Sequence, residues 1–307
     1  MKIQSCIDAI EKQNEEIVRL QNPCNCKIAL NFLFSLFSFK RILSFIQSRS
    51  LLKKLAKGKK EDLTPVFYAK GSFLDVSKKV AVYTCITNGY DNVNNPILID
   101  DDMDYFCISD SSKKTKSIWQ HLEIPATASK YDYAMINRFC KLNPWNIFNA
   151  YDYAIYIDGN IDICSDIRCL CPIAHNSKIG IAMHTHDYRD CVYKEAEACE
   201  VLKRGNLGAI KAQMTKYRQE GFPEHFGMIE ATIIVVDLKN DIAKKIMTAW
   251  WNELLQSGSG RDQLSFPYVL WKNGFKISDV GYLGNNRRKN PKFRTRKHFN
   301  EWSRSKV

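Results

Sequence analysis

Tyr153-Ala-Ile-Tyr-Ile-Asp-Gly-Asn-Ile-Asp162 is the segment on which the fold turns. Five apolar or aromatic residues in a row read as a strand buried on both faces. The run stops abruptly at Asp158-Gly159-Asn160, whose composition is that of a turn. Upstream, Lys79-Val-Ala-Val-Tyr-Thr-Cys-Ile86 reads as a second buried strand ending at Thr87-Asn-Gly89, and Asp104-Tyr-Phe-Cys-Ile-Ser-Asp110 as a third. A helix is expected over Tyr131–Leu142 and a further strand over Ala231–Val236. Strands alternating with helical segments predict an α/β domain with a mostly parallel sheet.

Ligands of an open α/β sheet bind beyond the carboxyl ends of its strands. The residues there are Thr84, Asn88 and Asp91 after the first strand, Asp110 after the second, and Asp158, Gly159, Asn160 and Asp162 after the third. Oxygen-bearing side chains separated by one glycine can ligate a hard cation and leave positions open for phosphate oxygens. Asp158, Asn160 and Asp162 are therefore the expected ligands of Mn²⁺ or Mg²⁺, which would neutralise charge building on a departing nucleoside diphosphate. Asn137, Arg138 and Lys141 share one helix face, and Arg138 and Lys141 are expected to meet the donor's phosphates. Asp262 and Gln263 fall in the first turn of a helix, where two readings stand: capping of free N–H groups, or a turn facing the sugar across from the metal.

The 307 residues are 45% hydrophobic and 12% aromatic, which excludes disorder as the main state. A net charge of +12 favours anionic partners. Neither zinc-finger spacing nor an aromatic RNA-binding signature accompanies it, so no specific nucleic-acid partner is expected. Eleven cysteines without a signal peptide at the start point to reduced thiols in the cytoplasm. Residues 1–62 are expected to form a helical extension, 63–286 the α/β domain and 287–307 a basic, solvated tail. Within the extension, the apolar run Ile28–Phe39 falls short of the roughly 20 residues of a membrane span. It reads either as an interfacial helix, placing the chain peripherally at the acidic inner face of the cytoplasmic membrane, or as a helix docked on the protein's own core or in an oligomer interface.

An ordered run of motifs carries a resemblance: Tyr83-Thr84 with Gly89-Tyr-Asp91, Tyr156-Ile-Asp-Gly-Asn160, His184, Tyr193-Lys-Glu-Ala196, Gln213-Met214, Tyr217-Arg218, Gly221-Phe-Pro223, Glu230, Trp251-Asn-Glu253 and Arg261-Asp-Gln-Leu-Ser-Phe266. Together they resemble a glycosyltransferase-like family of bacterial surface-polysaccharide loci and of plant Golgi proteins of the turgor-regulation and mucilage type, over roughly residues 79–285. The resemblance implies a GT-A fold in which Asp158 and Asn160 stand as the metal-holding Asp-x-Asp motif, Asn160 departing from the strict form. It implies a UDP-sugar donor and a glycan or lipid-linked acceptor, with Asp262, Gln263 and Glu230 catalytic and His184, His186 and Glu195 binding the acceptor. Asp262-Gln263 is similar to the Asp-Gln element of retaining GT-A enzymes, which implies retention of the donor's configuration. The activity expected is metal-dependent sugar transfer in surface-polysaccharide synthesis. The competing reading, motivated by Asn160, is a non-catalytic scaffold that binds nucleotide or glycan.

Overall fold

The computed structural model describes residues 77–111 and 117–298. The expected extension over 1–62, with its membrane and oligomer readings, and the last residues of the basic end lie outside the described residues. Strand β1 (Val80–Ile86) is buried at every position, as are β4 (Tyr153–Ile157) and the short β5 (Ile161–Ile163). β2 (Met103–Ser109) and β3 (Gln120–Leu122) continue the sheet to one edge, and β7 (Ile229–Asp237), β6 (Ile181–Thr185) and β8 (Gly281–Tyr282) to the other. The order is β3-β2-β1-β4-β7-β6-β8. All neighbours pair in parallel except β7, which runs antiparallel to both β4 and β6.

Alternation along each strand sends side chains to opposite faces of the sheet. Tyr83, Tyr156 and Ile234 enter one core with Trp250 and Phe266. Helices α1 (Tyr133–Leu142), α5 (Asp241–Ser257) and α6 (Asp262–Lys272) contribute to that core. Val82, Ile155 and Val235 enter the opposite core with Leu170, Phe293 and Ala174 of the short helix α2 (Cys171–His175). A third cluster packs α3 (Val192–Val201) and α4 (Leu207–Gln219) against α6 through Tyr193, Met214, Tyr217, Leu264 and Tyr268. Asp132, Asn206 and Asn240 cap α1, α4 and α5 with side-chain oxygens, satisfying amides with no partner inside the helix.

The basic segment expected to be a solvated tail is, as far as His298, part of the fold. Strand β9 (Phe293–Thr295) pairs antiparallel with β5, and Phe293 is buried. Alternation of apolar and basic residues in Phe293-Arg-Thr-Arg296 allows this: one face enters the core while the guanidinium groups find carboxylates. Among the described residues no helix is long and apolar enough to cross a membrane, and the eight described cysteines are free thiols.

Ile234 lies fully buried on β7 opposite Tyr156. Truncation there removes packing that neighbouring strands cannot replace, so Ile234→Ala is expected to destabilise by about 2–5 kcal/mol. A fall in the urea midpoint with an unchanged m-value checks this.

Candidate active site

Chain direction brings the site together. β1, β2, β4 and β6 end on one side of the sheet, and β7, running the other way, begins there; Asp158 N–H donates to Thr232 O at 2.9 Å. The turn after β4 packs directly on the end of β1. A Cβ at Gly159 would meet Ile86 Cγ1 at 3.0 Å and Asp91 Cβ at 3.1 Å, so a side chain there would push the turn off the strand.

Helix α1 lies beside this turn. Lys141 Nζ is 2.6 Å from Asp262 Oδ2 and 3.9 Å from Asp158 Oδ1. Lys141 and Asp262 are each only 4% exposed, whereas the Asp158 carboxylate is about one-third open. Burial alone would raise the pKa of Asp262, but Lys141, Arg138 and Arg261 outweigh it and hold the carboxyl well below the usual range. Tyr156 Oη donates to Asp158 Oδ1 at 2.9 Å and accepts from Asn137 Nδ2 at 3.2 Å. Arg138 Nη1 in turn donates to Asn137 Oδ1 at 2.9 Å. The helix face read from spacing thus reaches Asp158 and Asp262 through Lys141, while Asn137 meets the Tyr156 hydroxyl that bonds Asp158, and Arg138 acts on Asn137.

Gln263 follows Asp262 in the first turn of α6, and its amide is held at both ends. Nε2 donates to Ile229 O at 3.2 Å, while Arg261 Nη2 donates to Oε1 at 3.2 Å. Glu230 stands at the start of β7, accepting from Thr232 Oγ1 and lying 3.5 Å from Arg287 Nε. Burial opposes its ionisation, but Arg287, the Thr232 hydroxyl, His186 and Lys141 together lower its pKa.

Several of the residues with expected roles are engaged by protein partners. Asp162 is not available to a cation: Arg294 Nε and Nη2 donate to Oδ2 at 3.0 and 2.8 Å, and Arg296 Nε and Asn94 Nδ2 to Oδ1 at 2.7 and 3.0 Å. Asp91 is turned to His298, whose Nδ1 is 2.8 Å away. Asp110 accepts the Asn88 N–H at 2.8 Å, so the two residues brace the strand ends against each other. Thr84 is buried within β1 at 1% exposure, inside the sheet rather than at its tip.

The three residues expected to bind acceptor are also consumed. His184 is fully buried with Nε2 2.9 Å from Asn290 Nδ2, and burial lowers its pKa to about 4, with Glu230 pulling the other way. His186 Nδ1 accepts the backbone N–H groups of Tyr188 and Arg189 at 3.2 and 3.1 Å. Glu195 is buried against Arg189, Arg261 and His186. For His184, a register shift between β6 and β7 after Met183 sets the residue opposite Glu230, and bulges of this kind re-aim side chains. Residues without an expected role that the site does use are Tyr156, Arg261, Arg287 and Arg296. Tyr156 and Arg261 sat in motifs, and the basic run gave no hint that Arg296 Nη2 would reach Gly159 O at 2.8 Å.

Among the described residues no three His, Cys, Asp or Glu side chains converge as a metal cage. What fits a diphosphate-bound cation is smaller. The partly open Asp158 carboxylate qualifies, as does the Asn160 amide, whose Nδ2 is turned to Arg296 O at 3.1 Å and so leaves Oδ1 as an acceptor. Mg²⁺-type ions commonly take one or two protein carboxylates and complete their shell from phosphates and water.

The sheet has the class expected of it, a GT-A-type α/β domain with an acidic turn after a central strand. Residues 102–278 match the TOD1/MUCI70 glycosyltransferase-like domain, and the chain belongs to that family. Solved structures similar to it include the apo form of the WbbM bifunctional glycosyltransferase, at 14% identity over 69% of this chain and TM-score 0.39. This chain spans 40% of the length of WbbM. The mannosyltransferase Ktr4p of S. cerevisiae is 12% identical over 75% of each chain, with TM-score 0.35. Mouse xyloside xylosyltransferase 1, apo form, is 10% identical over 71% of this chain and 98% of its own, with TM-score 0.42. No match was found among curated protein sequences.

Two outcomes follow from the buried groups. Asp162→Asn is expected to lower stability by about 1–3 kcal/mol and to open the chain around Arg294 and Arg296 to trypsin, measured by thermal melting and limited proteolysis. His184 takes up a proton near 6.5 when unfolded but only near about 4 when folded. The folded state then binds fewer protons, so stability is complete above pH 6.5 and erodes as pH falls toward 4. Urea midpoints measured across that window should fall less steeply in His184→Gln than in the unaltered protein.

Proposed function

We propose that this glycosyltransferase moves a sugar from a UDP-linked donor to a glycan or lipid-linked acceptor in surface-polysaccharide synthesis, with retention of configuration and with a divalent cation. The observation that carries the reading is the Lys141 ammonium set between the carboxylates of Asp158 and Asp262, at 3.9 and 2.6 Å. One carboxylate is open for a diphosphate-bound ion; the other is held ionised in a buried position where positive charge is strongly felt.

Asp158 and the Asn160 amide oxygen would hold Mn²⁺ or Mg²⁺, which supplies Lewis-acid neutralisation of the leaving diphosphate. Arg138 and Lys141 add fixed positive charge beside that group. Asp262, ionised by its cationic neighbours, faces the oxocarbenium-like centre that forms as the bond between anomeric carbon and phosphate oxygen breaks. Gln263 keeps one amide hydrogen free after bonding Ile229 O and directs it toward the sugar. Glu230, with its pKa lowered, is a weak base and a stable negative charge. With His184 and His186 pinned, the acceptor hydroxyl gives its proton to the departing phosphate oxygen while its own oxygen bonds the anomeric carbon. Both events then occur on one face of the sugar, which preserves the donor's configuration.

A panel of UDP-, GDP- and CMP-sugars with Mn²⁺ tests this. The correct donor should raise the melting temperature, since a ligand at a hundredfold its Kd adds about 2.7 kcal/mol. Asp158→Ala should abolish both that shift and sugar transfer, and Asp262→Asn should keep the shift and lower kcat by about 10²–10³. Undiminished transfer by Asp158→Ala would remove the metal assignment. Donor binding without transfer or hydrolysis, in any combination tried, would favour the scaffold reading that Asn160 motivates.

A further inference from the structure

Helix α3 carries one buried carboxylate whose neighbours are unusual for a structural residue. Glu195 is 4% exposed. Its Oε2 accepts from Arg189 Nε at 2.5 Å and lies 3.6 Å from His186 Nε2. Its Oε1 lies 3.7 Å from Arg261 Nη2 and accepts a 3.7 Å contact from the Cys199 thiol. Two guanidinium groups thus meet at one carboxylate, Arg261 also standing near the ionised Asp262, and burial lowers the pKa of His186, so its ring adds no further positive charge at neutral pH.

The Arg261 nitrogen that faces Glu195 is the same Nη2 that donates to Gln263 Oε1 at 3.2 Å. That bond and the one from Gln263 Nε2 to Ile229 O fix which end of the amide points where. A flipped amide would set Nε2 against a guanidinium and Oε1 against a carbonyl, two donor–donor and acceptor–acceptor clashes. Arg261 is itself locked from the other side: a Cβ at Gly205, in the α3–α4 connection, would meet Ser259 O at 2.7 Å and Arg261 Cγ at 2.8 Å. Asn206 N–H also donates to Ser259 O at 3.1 Å.

We infer that Glu195 is a positioning residue, which acts through Arg261 to orient the Gln263 amide at the sugar and never touches the substrate. The inference rests on the catalytic place given to Gln263 above. It turns the α3–α4 pair into part of the catalytic apparatus. Without the carboxylate, Arg189 and Arg261 lose the counter-charge that lies between them, Arg261 turns toward its remaining partner Asp262, and Gln263 Oε1 loses the donor that sets its orientation.

A double-mutant cycle separates this from a merely structural role. The readout is UDP release from UDP-glucose, UDP-galactose and UDP-N-acetylglucosamine with Mn²⁺, together with the melting shift given by UDP plus Mn²⁺. Glu195→Gln should lower kcat by about tenfold or more with donor KM and the UDP shift unchanged. In a Gln263→Ala background the same substitution should have no further effect. Losses that multiply in the double variant, with Gln263→Ala alone impaired, would overturn the inference and leave the proposed function standing. Full activity in Gln263→Ala would overturn both. If Glu195→Gln does not fold, Arg261→Lys serves in its place, because it keeps the charge but not the fork that spans Glu195 and Gln263, and the same outcomes decide.

Discussion

A lysine buried among carboxylates sets the terms for the rest of this domain. Lys141 is 4% exposed with its Nζ 2.6 Å from Asp262 Oδ2, and a buried charge without such a partner would carry a large desolvation cost. That requirement fixes α1 against the first turn of α6 and holds both beside the end of β4. The pair is weak evidence for stability, since two apolar residues of equal volume would pack at least as well. The same ammonium lies 3.9 Å from Asp158 Oδ1, so one buried charge links the turn after β4 to the first turn of α6.

The site is fed from every part of the described chain. β4 gives Asp158, β7 gives Glu230, α6 gives Asp262 and Gln263, and the segment after β8 gives Arg287 and Arg296. The guanidinium groups of that last segment are divided among Glu230, Asp162 and the Gly159 carbonyl. The charge of Arg287, Arg294 and Arg296, which looks like a surface property in the sequence, is thus engaged by the fold, while Arg288, Lys289 and Lys297 stay exposed. Asp158 is less enclosed: its carboxylate meets Tyr156 Oη at 2.9 Å and Lys141 at 3.9 Å and is about one-third open.

What the sequence disclosed follows from range. Buried strands β1 and β4 were legible because unbroken apolar runs of that length have few alternatives, and the start of α6 because Asp262 carries a first-turn signature. The Asp-Gly-Asn turn was legible for a related reason: a glycine between polar residues at a strand end has a steric cause, the contact with Ile86. The reversal of β7 and the register shift beside Met183 were not, since pairing direction is decided by partners far away in sequence. The same limit explains His184, His186 and Glu195. Residue type announced polar chemistry, but the partners that consume it, Asn290, the Tyr188 and Arg189 amides and Arg261, are set by tertiary packing.

The bonds from Arg294 and Arg296 to Asp162 join residues 132 and 134 positions apart. Closing so long a loop is entropically expensive compared with forming the strands it ties, and it must wait for translation. Since Phe293 of the same short strand enters the core beneath β4 and β5, the far end of the described chain secures the acidic turn and the packing under it together.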